Sequence, residues 1–293
     1  MGAGPAGLTA GIYVGREGLK TKILEKGVIG GNANNAPLVA NFPGFQSITG
    51  IEFLKKTAEQ AKMYTNIVEY EEITKIHKTD GKLLLTTNKG EYSAKALIIC
   101  SGTTYRKLGI KDEGKFIGRG ISYCSICDGM FFKGKEVLVV GGGNSAAEHA
   151  LHLKDLGCNV KIVHRRNTLR AQKYLQDKIH AKGIPIIWNS IVTELKGNNL
   201  LKSVVIRNTK TEIDKEVEVA GIYIAVGETP NSELAASMGV DLDELGYITT
   251  DKNQRTDIPQ VYVAGDVTGG VQQIVVACGE GAVAAVNAYQ NLP

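Results

Sequence analysis

The sequence predicts an α/β protein of two Rossmann-like three-layer dinucleotide-binding domains, one inserted into the other, and three observations predict it. Glycine-rich turns occur twice, at Gly2-Ala3-Gly4-Pro5-Ala6-Gly7 and at Gly141-Gly142-Gly143-Asn144-Ser145-Ala146. Each opens a helical stretch followed by a short apolar strand, the order of a βαβ unit. Each half then closes on another apolar run, at residues 96–100 and 221–225.

After Gly7, residues 8–18 read as a helix and 21–25 as a short buried strand. The Asn-, Gly- and Pro-rich stretch 27–50 reads as a long functional loop, and 51–64 as a second helix. Short β-runs follow around turn signals at Asp80-Gly81 and Lys89-Gly90, ending in strand 96–100 before Ser101-Gly102. The second copy starts at strand 136–140, continues through a helix at 145–156 and a strand at 159–163, and closes on 221–225 before Gly227. The tail returns to an apolar strand ending in Ala264-Gly265-Asp266, then an Ala/Val-rich helix from about Gly279 to Ala288. That tail matches the start of neither copy, so it completes the first domain. Residues 1–106 and 234–293 are expected to form one domain and 107–233 an insertion.

A chain of 293 residues, 43% hydrophobic, can fill two cores. A net charge of +4, with both signs among 22% charged residues, gives no argument for a nucleic-acid partner. No apolar run approaches the roughly 20 residues of a membrane span, and no signal-peptide pattern opens the chain. The expectation is a cytoplasmic protein without membrane contact.

Between the two glycine turns lies Cys124-Ser125-Ile126-Cys127-Asp128-Gly129. A C-x-x-C pair can close a small disulfide ring and exchange two electrons with another dithiol. Metal binding is the weaker reading, because a closed zinc site takes four ligands and no second C-x-x-C or paired His completes one. Of the five cysteines, Cys100, Cys158 and Cys278 stand alone and read as small buried apolar residues.

Glycines at a strand-to-helix turn let the backbone approach a pyrophosphate, whose charge meets the helix N-terminus. The copies differ at the position that reads the ribose. The first ends its next strand in Glu25, able to accept from ribose hydroxyls; the second ends in His164-Arg165-Arg166 with Arg170 beyond, cations suited to a 2′-phosphate. FAD in the first and NADPH in the second is the natural assignment, against the plainer reading of those arginines as a solvated basic turn. Asp266, at a strand end, reads either as a turn former or as the carboxylate that holds ribityl hydroxyls.

These residues resemble the low-molecular-weight thioredoxin reductases, members of the two-dinucleotide-binding-domain flavoproteins. The likeness runs through Gly2 to Leu8, Gly30-Gly31, Asn41-Phe42-Pro43-Gly44, Gly118-Arg119-Gly120, Cys124 to Gly129, Gly141 to Glu148, His164 to Arg170, Gly227 to Pro230 and Ala264 to Val267. The resemblance implies FAD and NADPH as cofactors, a homodimer, and reduction of thioredoxin or a thioredoxin-like or glutaredoxin-like protein. It implies Cys127 as the flavin-proximal thiol, Cys124 as the thiol that attacks the partner, and Asp128 as the acid/base with a raised pKa. By the same resemblance Gly2, Gly4, Pro5, Ala6, Gly7, Glu25, Lys26, Gly31, Asn32, Asn41, Gly102, Gly265, Asp266, Gln272, Gln273 and Ile274 contact FAD. Gly141, Gly143, Asn144, Ser145, Ala146, Glu148, His164, Arg165, Arg166 and Arg170 contact NADPH.

Three departures stand out. The family's Gly-Gly-Gln is here Gly30-Gly31-Asn32, and its Arg-Gln-Ala is Gln272-Gln273-Ile274, which removes a fixed positive charge beside the flavin. The family also carries a strand before the first glycine, where Met1 directly precedes Gly2. On that ground the chain as written is expected to hold FAD poorly. Nicotinamide and C-x-x-C motifs share the inserted domain, so rotation about its two crossings is expected to present them in turn. Competing readings are a same-fold reductase fed by ferredoxin or a deazaflavin, a small-molecule dithiol oxidase, and a nucleotide-binding redox sensor without turnover.

Overall fold

The computed structural model describes residues 1–36, 38–79 and 81–292. Asp80 of the expected Asp80-Gly81 turn therefore lies outside the described residues. The chain divides into two compact units: Met1–Asn34, Ala40–Thr104 and Thr229–Pro293 form one, and Asn35–Val39 with Tyr105–Glu228 form the other.

The first unit opens with α1 (Pro5–Arg16), begun by a proline whose missing N–H costs a first turn nothing. Then come β1 (Lys22–Leu24) and α2 (Gly50–Lys62), the latter capped by the Thr49 hydroxyl, which accepts from the Glu52 amide at 3.1 Å. β2 (Asn66–Val68) runs parallel to β1. β3 (Ile73–Thr79), β4 (Lys82–Thr87) and β5 (Glu91–Ala94) form an antiparallel sheet. β6 (Leu97–Ile99) and β7 (Thr103–Tyr105) follow. Met1 and Gly2 run between β1 and β6: the Gly2 amide donates to Leu24 and the Cys100 amide to Met1, at 2.8 and 2.7 Å.

The second unit contains α3 (Glu113–Phe116), β8 (Ile121–Ser122), α4 (Ser125–Asp128), β9 (Glu136–Gly141), α5 (Asn144–Asp155), β10 (Asn159–Val163), α6 (Lys173–Ala181) and β11 (Ile186–Ile187). The antiparallel β12 (Ser190–Gly197), β13 (Leu201–Asn208) and β14 (Asp214–Glu218) precede β15 (Gly221–Ala225). A parallel sheet of order β11-β10-β9-β15-β8 forms the middle layer. Because side chains alternate along a strand, Val137, Val139, Ile162 and Tyr223 pack with α5 and α6, while Leu138, Val140, Ile222 and Ile224 pack with residues of β12 and β13. That alternation makes the three layers.

The chain finishes with β16 (Glu228–Pro230), α7 (Glu233–Ser237), β17 (Val261–Val263) and α8 (Ile274–Gln290). β17 lies parallel to β6, and the same alternation recurs. Leu97, Ile99, Val261 and Val263 face the core of the antiparallel sheet, whereas Tyr262 and Ala264 face alanines of α1 and α8. Helix α8 starts five residues before the Gly279 expected from sequence. Ala277, Gly281, Ala284, Ala285 and Ala288 form a buried stripe at helical spacing, and its packing overrides the strand preference of Val275-Val276.

Candidate active site

In the first unit, the backbone itself shapes the first glycine turn. A Cβ on Gly7 would lie 1.9 Å from the Gly2 carbonyl oxygen, so only glycine permits the helix to start so close to the preceding turn. Glu25 follows β1, and its carboxylate accepts from the Ala3 and Gly27 amides, each at 2.8 Å. Those bonds aim the carboxylate at the turn while each oxygen keeps a lone pair for a ribose hydroxyl. The Gly30 amide donates to Ala3, and Gly31 approaches the Cα of Gly4. Gly265 lies against Ala6, its amide donating to Glu280 Oε2 at 2.7 Å; that bond anchors the start of the Asp266 turn. Asn32, at the departure from the family's Gln, donates to the Thr103 carbonyl at 2.9 Å. Asn41 donates to Gln273 Oε1 at 3.0 Å, and Gln272, Gln273 and Ile274 form the start of α8. Gly102 takes a positive φ and accepts from the Asn231 amide, whereas Lys26 is exposed. Hydrogen bonds and close approaches thus join the first glycine turn to Glu25, Gly30 and Gly265, and Asn41 to Gln273, residues distant in sequence.

In the second unit, β9 leads into the other glycine turn and α5 starts without a side-chain cap. A Cβ on Gly142 would fall 2.1 Å from the ring of His164, which is itself buried and bonded to the Thr168 carbonyl at 2.9 Å. A Cβ on Gly143 would meet no protein atom within 4 Å. Space is therefore left at the helix start, where an anion is favoured. The arginine loop folds back over this turn. The Arg170 and Ala171 amides donate to the Gly142 carbonyl at 2.7 and 3.1 Å, and the Gln172 amide to Asn144 Oδ1 at 2.9 Å. Arg165, Arg166 and Arg170 are exposed, as are Asn144, Ser145 and Glu148, while Ala146 is buried against Gly141. This donor set suits a phosphate-bearing nucleotide.

Cys124 and Cys127 are joined by a disulfide with their Cα atoms 5.3 Å apart, at the start and within α4. Both are half-buried, while Ile126, Met130 and Phe131 around them are exposed. Asp128 ends α4, buried, and accepts from the Tyr223 hydroxyl at 2.8 Å. Burial raises its carboxyl above the usual range, opposed by hydrogen bonds from Ser122 and Tyr223. The same burial, with Asp128 beside it, pushes the Tyr223 phenol upward. Upstream, Tyr123 stacks on Tyr105 at 4.5 Å and donates to the buried Glu113. Between the cysteines, Ser125 hydrogen-bonds His149 Nδ1 of α5 at 2.8 Å. Burial pushes that imidazole down to about 4, with His152 adding to the effect.

Sequence reading missed Tyr223, Ser125, His149 and Glu280. Tyr223 left a trace, as a lone hydroxyl in the apolar strand Gly221–Ala225 must find a partner. The others left none, because their partners lie on different elements. Cys100 and Cys158 are buried and Cys278 half-buried, and no cluster of metal-ligating residues occurs among the described residues.

The family model of pyridine nucleotide-disulphide oxidoreductases matches residues 1–281. A thioredoxin reductase of Listeria innocua is 42% identical over 295 residues, covering 99% of this chain and 92% of the relative. A Clostridium pasteurianum chain, named as a 34.2 kDa protein in the rubredoxin operon, is 40% identical over 295 residues, covering 100% of this chain and 96% of that one. Among solved structures, thioredoxin reductase from Streptococcus pyogenes superposes with a TM-score of 0.93 at 38% identity, covering 99% of this chain and 95% of that one. A fold of two nucleotide-type domains with a C-x-x-C disulfide defines a class of flavin-linked dithiol oxidoreductases. The chain belongs to the pyridine nucleotide-disulphide oxidoreductase family.

Proposed function

We propose that this chain is an NADPH-dependent flavoprotein reductase of thioredoxin, or of a thioredoxin-like or glutaredoxin-like protein. The first unit takes FAD, and the second takes NADPH and carries the dithiol. One observation carries the reading: the Cys124–Cys127 disulfide sits beside a buried, raised carboxyl, on the same unit as a glycine turn overlaid by arginines. When bound, NADPH supplies a hydride and FAD relays two electrons.

The residues of the chain do the rest. Two electrons and two protons open the Cys124–Cys127 bond to a dithiol. Cys124, as a thiolate, attacks one sulfur of the partner's disulfide and the partner's other sulfur leaves. Cys127 then attacks the mixed disulfide, restoring the Cys124–Cys127 bond and releasing the partner as a dithiol. Asp128, whose carboxyl burial raises above the usual range, exchanges a proton with the departing sulfur. Exposed Ile126, Met130 and Phe131 offer an apolar surface for the partner protein. The reading includes a cytoplasmic homodimer, whose sedimentation would correspond to twice the 31.4 kDa of one chain.

The direct test follows NADPH consumption together with new thiols on thioredoxin. One dithiol per NADPH, lost in Cys124→Ser and in Cys127→Ser, is the expected result. Turnover that survives both substitutions sinks the proposal.

A further inference from the structure

We propose that Ser125 and His149 are a positioning pair that sets how strongly the Cys124–Cys127 disulfide resists reduction, by tying the redox turn to the helix behind the second glycine turn. The inference rests on reading that disulfide as the redox-active pair. Ser125 follows Cys124 directly as the first residue of α4, and it is 1% exposed. A hydroxyl sealed from water at this depth needs a partner, since an unpaired buried hydroxyl loses its hydrogen bonds to water without replacement. That partner is His149 Nδ1, at 2.8 Å, from the middle of α5.

The geometry explains why such a tie matters. With four residues, α4 is too short to hold its own shape. Its far end is tied by the Asp128–Tyr223 bond to β15, and its near end by Ser125 to α5. Both ties act whether or not the sulfurs are bonded. They hold the cysteine Cα atoms at a separation that a disulfide accepts, 5.3 Å. A reduced turn that stays closed presents each sulfur to the other at high effective concentration, which favours the disulfide. Untying Ser125 lets the reduced turn open, and the freedom gained favours the dithiol.

The test equilibrates the holoprotein across dithiothreitol redox buffers. As the S–S bond breaks and gains two electrons and two protons, dithiothreitol loses them and closes its own disulfide. Trapped thiols are then counted by mass, with flavin absorbance read separately. Ser125→Ala and His149→Leu should each raise the equilibrium constant for reduction by about three- to tenfold, the worth of one hydrogen bond; tenfold is about 30 mV. His149→Asn sets an amide oxygen or nitrogen where Nδ1 stood, so it should remain within about twofold of the parent. The double variant should shift no further than the larger single, because both remove one bond. Singles that melt cooperatively yet stay within about twofold overturn the proposal, as do an Asn variant shifting as far as Leu or additive effects. If His149→Leu fails to fold, Ser125→Ala, which removes a single oxygen, decides alone. A parent pair that never titrates overturns instead the redox reading beneath it.

Discussion

Asp128 and His149 are both driven from their ordinary titration by burial, which favours the neutral form of each and so raises the one pKa and lowers the other. The Asp128 carboxyl is raised above its unfolded value, so the stability it contributes is full below about pH 4 and is lost as pH rises through the folded value. Asp128→Asn removes that loss and keeps an oxygen for the Tyr223 hydroxyl. At pH 8 the variant should therefore resist urea as well as the parent or better, while transfer to a protein disulfide falls by about 10²–10⁴. A variant that unfolds earlier and transfers normally would reverse both assignments. His149 is the depressed case, held down to about 4. Its neutral ring contributes stability that is present above about pH 6.5 and lost as pH falls toward 4. The urea midpoint of the parent should fall more steeply across that window than that of His149→Asn; parallel slopes would show that another group is responsible.

The turn between β9 and α5 contains two neighbouring glycines with different duties. Gly142→Ala drives a Cβ into the buried His164 ring, 2.1 Å away, so the arginine loop must shift. A cost of about 1–3 kcal/mol is expected, read as a lower melting temperature. Gly143→Ala meets no protein atom, and its φ of −93° suits alanine. That variant should melt like the parent yet lose nucleotide affinity, because the methyl fills the space a pyrophosphate needs. Equal melting losses at both positions would refute this division. The loop after β10 carries the second test at this scale. Arg165→Ala and Arg170→Ala should each lower the preference for NADPH over NADH by roughly ten- to a hundredfold, since a charge-assisted phosphate bond is worth about 1.5–3 kcal/mol. Equal losses for both nucleotides would mean that the arginines serve the loop alone.

Across the whole molecule, each unit has its own apolar core, and the redox turn draws on only one of them. Cys124→Ser and Cys127→Ser should therefore leave folding and both glycine turns intact. NADPH should still lower flavin absorbance in each variant while reduction of a protein disulfide is lost. Loss of the flavin response as well would mean that the cysteines support the nucleotide sites and not only the dithiol step.

The glycine turns, the C-x-x-C and the apolar strands were legible in the sequence because each is local. A glycine turn needs three or so nearby residues, and a buried strand needs an uninterrupted apolar run. The placement of Glu25 and of the Arg170 loop beside their own glycine turns follows for the same reason, since each lies one strand beyond its fingerprint. What the sequence left undetermined is what joins distant segments. Helix α8 begins early because its alanine stripe finds α1, across more than 250 residues. Asp128 is raised by burial and finds its hydrogen-bond partner in Tyr223, 95 positions away, and Ser125 gains a partner only where α5 passes behind the redox turn. Burial and pairing are properties of packed neighbours. Residue order sets which chemistry is available, and the tertiary structure decides which groups are sealed from water together.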